Sequence, residues 1–105
     1  MLRQSALCVI SVLAVSTISF AQSSGAKTYK SKCQMCHAAD GSGNTHAGKS
    51  TKALPFSTPD IVKKSDEDLI ALTKNGKGKM PAYAGKLTDA QIAEVVTYIR
   101  TLQKK

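Results

Sequence analysis

Near the C-terminal end, Ile92, Val95, Val96, Ile99 and Leu102 fall at i, i+3, i+4, i+7 and i+10. That spacing puts all five on one stripe of an α-helix. The stretch before it, Thr88-Asp89-Ala90-Gln91, has the form of a capping box, so the helix is predicted to start there. A second start signal is Ser65-Asp66-Glu67-Asp68, with Ser65 as N-cap and acids at the positive helix end. Leu69, Ile70 and Leu72 give that helix its apolar side, and Asn75-Gly76 stops it. Upstream, Ala26, Tyr29, Cys33 and Cys36 recur at roughly helical spacing, predicting a short helix over 25–36. The turn cluster Asp40-Gly41-Ser42-Gly43-Asn44 ends it. From Thr45 to Pro59 no period is visible, and Gly48, Pro55 and Pro59 are breakers, so this stretch is expected to be a loop. It is long for a compact domain and needs something to hold it. A second loop, glycine-rich and basic, spans 76–86. No strand alternation occurs anywhere, and the expected class is all-α.

The first residues belong to a different category. Met1-Leu2-Arg3-Gln4 is a short basic segment, Ala6 to Phe20 is apolar apart from small hydroxyl residues, and Ser19-Phe20-Ala21 places small residues where a signal peptidase reads. Residues 1–21 are expected to be a secretory signal cleaved before Gln22, leaving one domain over 22–105. A retained membrane anchor is the alternative, though the run is short for a span.

Composition sharpens the problem. Such a domain has little core of its own, and the chain has three Tyr, two Phe and no Trp. A large apolar cofactor would supply the missing interior. Losing Arg3 with the signal would lower the formal charge from +8 by one. A basic surface favours acidic partners; nucleic acid is the other reading of such a charge, but an exported chain rarely meets it.

Chemistry enters at Cys33-Gln34-Met35-Cys36-His37. C-x-x-C followed at once by His is the attachment signature of a c-type haem. Residues three apart share one face of a helical turn, so both thiols can reach one porphyrin edge while His37 offers its imidazole to the iron. Cys8 leaves with the signal, so the motif holds the only remaining cysteines. A thiol–disulfide pair is the competing reading. A zinc site would need two further ligands, and His46 is the only other histidine.

With His37 on one side of an iron, the sixth position has candidates in Met35, Met80, His46 and the lysines. Met35 lies inside the motif and is expected to point away. Met80 sits in Gly76-Lys77-Gly78-Lys79-Met80-Pro81, with no apolar stripe to join, and Pro81 restrains it towards extended geometry. Thioether ligation by Met80 is therefore favoured, a gap-filling Met being the bland alternative. His46 would give a bis-histidine iron, but it lies close to His37 in sequence.

These residues resemble the small monohaem cytochromes c of class I over nearly all of 25–102. Gly25-x-x-x-Tyr29-x-x-x-Cys33-x-x-Cys36-His37 looks like that family's N-terminal helix, Gly78-Lys79-Met80-Pro81-Ala82-Tyr83 like its distal-ligand loop, and Val95-Val96-Thr97-Tyr98-Ile99 like its C-terminal helix. The resemblance implies a small cytochrome c fold in which the terminal helices cross, Gly25 and Tyr29 meeting the face that bears Tyr98. It implies one covalent haem c on Cys33 and Cys36, with His37 and Met80 as axial ligands. It also implies a proline carbonyl, from Pro55 or Pro59, accepting the second N–H of His37.

The expected function is that of a soluble, monomeric, periplasmic single-electron carrier, with no catalysis, shuttling between a redox donor and acceptor. Lys27, Lys30, Lys32, Lys74, Lys77, Lys79 and Lys86 would steer acidic docking surfaces towards the haem edge. No nucleic acid and no stable membrane insertion after signal cleavage are expected. The rivals are a haem subunit permanently docked to a dehydrogenase or oxidase, and a ligand-binding haem sensor or enzyme.

Overall fold

The computed structural model describes residues 17–104, with side chains from Ser24 onward. The predicted signal segment over 1–21 falls mostly outside the described residues. Among the described residues six helices succeed one another: α1 Thr17–Lys32, α2 Gln34–His37, α3 His46–Thr51, α4 Pro59–Val62, α5 Asp66–Asn75 and α6 Asp89–Leu102. Among the described residues there is no strand, and the only bridges are isolated ones joining Lys77 to Met80 and Ala84 to Leu87. The all-α expectation is met. No helix among the described residues is long and apolar enough to cross a membrane.

The fold is organised by α1 crossing α6. Ile92, Val95, Val96, Ile99 and Leu102 are all buried, so the whole predicted stripe faces inward. Burying each such side chain is worth about 1.5–3 kcal/mol. The capping box that starts α6 is formed in both directions: Thr88 Oγ1 accepts from Gln91 N–H (3.1 Å) and Gln91 Oε1 accepts from Thr88 N–H (2.9 Å). At the crossing, a Cβ on Gly25 would run into the carbonyl oxygen of Glu94 and come within 3.1 Å of Tyr98 Cβ. Only a glycine lets the two backbones approach this closely. One turn further along α1, the ring of Tyr29 packs 5.2 Å from Tyr98 and 6.3 Å from Phe56. Tyr29, Phe56, Val95, Ile99 and Leu102 form the core cluster.

Two departures from the sequence reading concern the connections. The first helix starts upstream of the predicted Gly25 and breaks at Cys33, where the chain turns into α2. The region expected to be a loop, 45–59, contains α3 and the start of α4. Thr45 caps α3 by accepting from Gly48 N–H at 2.8 Å, and Pro59 sits in the first turn of α4. Caps and a proline at the first helical turn suffice for such short helices without any apolar period.

α5 begins as predicted, with Ser65 Oγ accepting from Asp68 N–H at 3.1 Å, and ends at Gly76, which has φ +71°. Arg100 of α6 secures the approach to α5. Its Nε lies 2.9 Å from Asp66 Oδ1, and its Nη2 donates to the carbonyl of Lys64 at 2.5 Å.

Candidate functional site

The C-x-x-C-H segment bridges the end of α1 and all of α2. Cys33 N–H donates to Tyr29 O (2.9 Å), and His37 N–H donates to Cys33 O (3.0 Å), so the motif winds as one helical turn after the break at Cys33. Directly after it, Ala38 has φ +66° and ψ +163°, backbone territory that suits glycine. The structure holds it there: the buried Tyr29 hydroxyl donates to Ala38 O at 2.5 Å, and Ala38 N–H donates to Gln34 O at 2.9 Å.

The second loop approaches from the other end of the sequence. Lys77 and Met80 exchange backbone hydrogen bonds of 3.1 and 2.9 Å. A Cβ on Gly76 would lie 2.6 Å from Met80 O, so the turn closes tightly on itself. Tyr83 anchors the far side of this turn: its N–H donates to Thr73 O (3.0 Å), and its hydroxyl donates to Lys32 O (2.9 Å), at the end of α1. Lys79 Nζ donates to Ser50 O at 3.2 Å, linking this loop to α3.

Between these segments is a cavity of about 300 Å³. Cys33, Cys36, His37 and Met80 all line it. Leu54, Phe56, Ile61, Leu69, Leu72, Val95 and Ile99 supply apolar wall, and Lys32, Lys52, Lys64, Lys77 and Lys79 also border it. The candidate ligands, separated by more than forty positions between His37 and Met80, therefore reach one space.

The donor set suits a soft, flat, apolar group. Burial pushes the Cys33 thiol up to about 11, with Cys36 adding to the shift. Both cysteines are free and partly buried. A thiol held protonated is a poor attacking group for disulfide exchange, which weakens the thiol–disulfide reading. Burial lowers the pKa of His37, favouring the neutral imidazole that a metal requires. Its Nδ1 is buried and has no hydrogen-bond partner. Among the described residues no group of three or more His, Cys, Asp and Glu could hold a metal ion, so zinc lacks a ligand set.

The other candidates are located elsewhere. Met35 is 78% exposed, pointing outward as expected. His46 is exposed at the start of α3 and does not line the cavity. The proline expectation is corrected. Pro55 O accepts from Thr58 N–H (3.0 Å) and Thr58 Oγ1 (2.6 Å), and Pro59 O accepts from Lys63 N–H (3.1 Å). Both carbonyls cap the turns that lead into and through α4, and neither serves His37. Instead the imidazole stacks on Phe56, with ring centroids 4.7 Å apart and planes inclined by 24°. Phe56 and the Tyr83 hydroxyl were missed as site residues. The lone Phe beside Pro55 in a segment without period was the available signal for the first.

Comparison with known proteins finds similarity along most of the chain. The family model described as cytochrome c oxidase, cbb3-type, subunit III matches residues 20–99. The chain is 39% identical over 77 residues to cytochrome c6 of Leptolyngbya boryana, covering 71% of this chain and 85% of that protein. It is 36% identical over 95 residues to cytochrome c6 of Picosynechococcus sp., covering 84% and 80%. With cytochrome c6 of Parathermosynechococcus lividus it shares 37% identity over 76 residues, covering 71% and 83%.

Proposed function

Since the chain belongs to the small monohaem c-type cytochromes, we propose that it is a soluble single-electron carrier with His37 and Met80 as axial ligands. Cys33 and Cys36, both free and lining the cavity, would hold the haem covalently through their sulfurs. When bound, the haem iron supplies a one-electron ferric–ferrous couple. The observation that carries this reading is that Cys33, Cys36, His37 and Met80 all line one largely apolar cavity.

The protein residues have distinct tasks. His37 is kept neutral by burial, and the Met80 thioether, a soft donor, would favour the reduced metal and raise its potential. The tight turn at Gly76, with the tethers from Tyr83 and Lys79, limits how far Met80 can withdraw. With His37 and Met80 both committed to the iron, exogenous ligands would find no open site, and the protein would transfer electrons without catalysing a reaction. The lysines bordering the cavity attract an acidic donor and acceptor. Export on a signal peptide, cleavage before Gln22, a periplasmic location and a monomeric state complete the proposal.

The test combines a pyridine haemochrome assay with optical titration by cyanide. One haem that resists extraction by acidified organic solvent, and a ferric form slow to bind cyanide, are expected. Pigment that extracts, or immediate cyanide binding, would overturn the carrier reading. A second reading, a haem subunit permanently docked in an oxidase, is favoured by the description of the matching family model. Native-extract gel filtration separates the two: a carrier elutes alone, a subunit with its complex.

A further inference from the structure

Phe56 is held by the fold from several directions. Its N–H donates to Gly41 O at 2.9 Å, and its carbonyl accepts from Gln103 Nε2 at 3.1 Å. The Gln103 amide is itself oriented, because Arg100 Nη1 donates to its Oε1 at 3.1 Å. Tyr29 packs edge-on against the Phe56 ring, and a Cβ on Gly41 would come within 2.6 Å of Phe56 Cδ2. The ring so fixed lies against the His37 imidazole, nearly parallel to it.

A ligating histidine usually has its ring plane set by a hydrogen bond from the nitrogen that does not bind metal. That bond is missing here, since His37 Nδ1 is buried without a partner. The torsion that turns an imidazole about its Cβ–Cγ bond is intrinsically soft, so something else must restrain it. A flat ring 4.7 Å away does so by contact: turning the imidazole out of the stack drives its edge towards Phe56. We propose that Phe56, clamped by Gln103 from the end of α6, is the positioning residue that sets the plane of the His37 ring. The inference rests on His37 being an axial ligand and adds what orients it.

In an oxidised low-spin haem, the axial ring plane governs how unpaired spin spreads over the porphyrin, and the ring-methyl proton shifts report that spread. Proton NMR of the ferric holoprotein is therefore the test, on wild type, Phe56→Leu, Phe56→Tyr and Gln103→Leu. Phe56→Leu keeps an apolar side chain but loses the flat face. It should redistribute the methyl shifts while the shifted Met80 methyl resonance persists. Phe56→Tyr should retain the wild-type order, and Gln103→Leu should move it in the direction of Phe56→Leu. An unchanged pattern in Phe56→Leu, or an equal change in Phe56→Tyr, would overturn the proposal. If Phe56→Leu does not yield holoprotein, Gln103→Leu decides alone, an unchanged pattern counting against the role. A wild-type spectrum without shifted imidazole protons would overturn the ligand assignment instead.

Discussion

The decisive residues are few, and each can be tested singly. Replacing Met80 by Ala removes the cavity-lining residue proposed as the second ligand. The reduction potential should fall and cyanide should bind readily to the ferric protein; redox titration and optical spectra check both. Unchanged behaviour would mean that another side chain takes the position. Ala38 poses a different question. Its φ of +66° with ψ of +163° lies where a Cβ is costly, and it is held there by Tyr29. Strain of this kind costs on the order of 1–3 kcal/mol, partly offset by the extra freedom glycine brings to the unfolded chain. Ala38→Gly should therefore stabilise the protein by about 1 kcal/mol, read as a higher denaturant midpoint. A lower midpoint would show that the surrounding structure tolerates alanine without strain. The motif Cys33–His37 was legible as chemistry from spacing alone, because the covalent demand fixes the residue types. The conformation of Ala38 was not, because no sequence pattern marks a strained non-glycine residue.

At the scale of elements, the helix crossing carries the fold. Gly25→Val would force a branched side chain onto the backbone carbonyl of Glu94. Backbone cannot move aside as a flexible side chain can, so a loss of about 1–3 kcal/mol is expected in thermal or denaturant unfolding of the holoprotein. An unaltered midpoint would contradict the close approach of α1 and α6. The α6 cap is a smaller matter: Thr88→Ala removes the acceptor for Gln91 N–H and should cost about 1 kcal/mol in the same assay. Helices α5 and α6 were legible because their starts are capped and α6 has an apolar stripe. Helices α3 and α4 were missed because they are too short for periodicity to show; the Thr45 cap decides α3 and the first-turn Pro59 decides α4.

Across the whole molecule, the distribution of charge matters more than any one lysine. Lys74 is paired with Asp89 at 3.1 Å, and Lys86 lies over the Tyr83 ring, 5.8 Å from its centre. Lys32, Lys52, Lys64, Lys77 and Lys79 border the cavity instead. Electron transfer to an acidic partner should therefore slow as ionic strength rises, since the attraction between exposed charges is screened within about 10 Å at 0.1 M salt. Stopped-flow rates across a salt series measure this, and a flat profile would remove charge steering from the account.

The sequence by itself determined the helical class, the C-x-x-C-H motif and the capped helices. Each depends on neighbours a few residues apart or on covalent chemistry that admits few residue types. Tertiary structure alone decided which distant segments meet. It brought Met80 to the cavity of His37, left His46 outside it, and assigned both proline carbonyls to their own turns. It also placed Phe56 against the imidazole. Those outcomes depend on how the chain closes around a shared interior, where the partner of a side chain is chosen by packing and not by its place in the sequence.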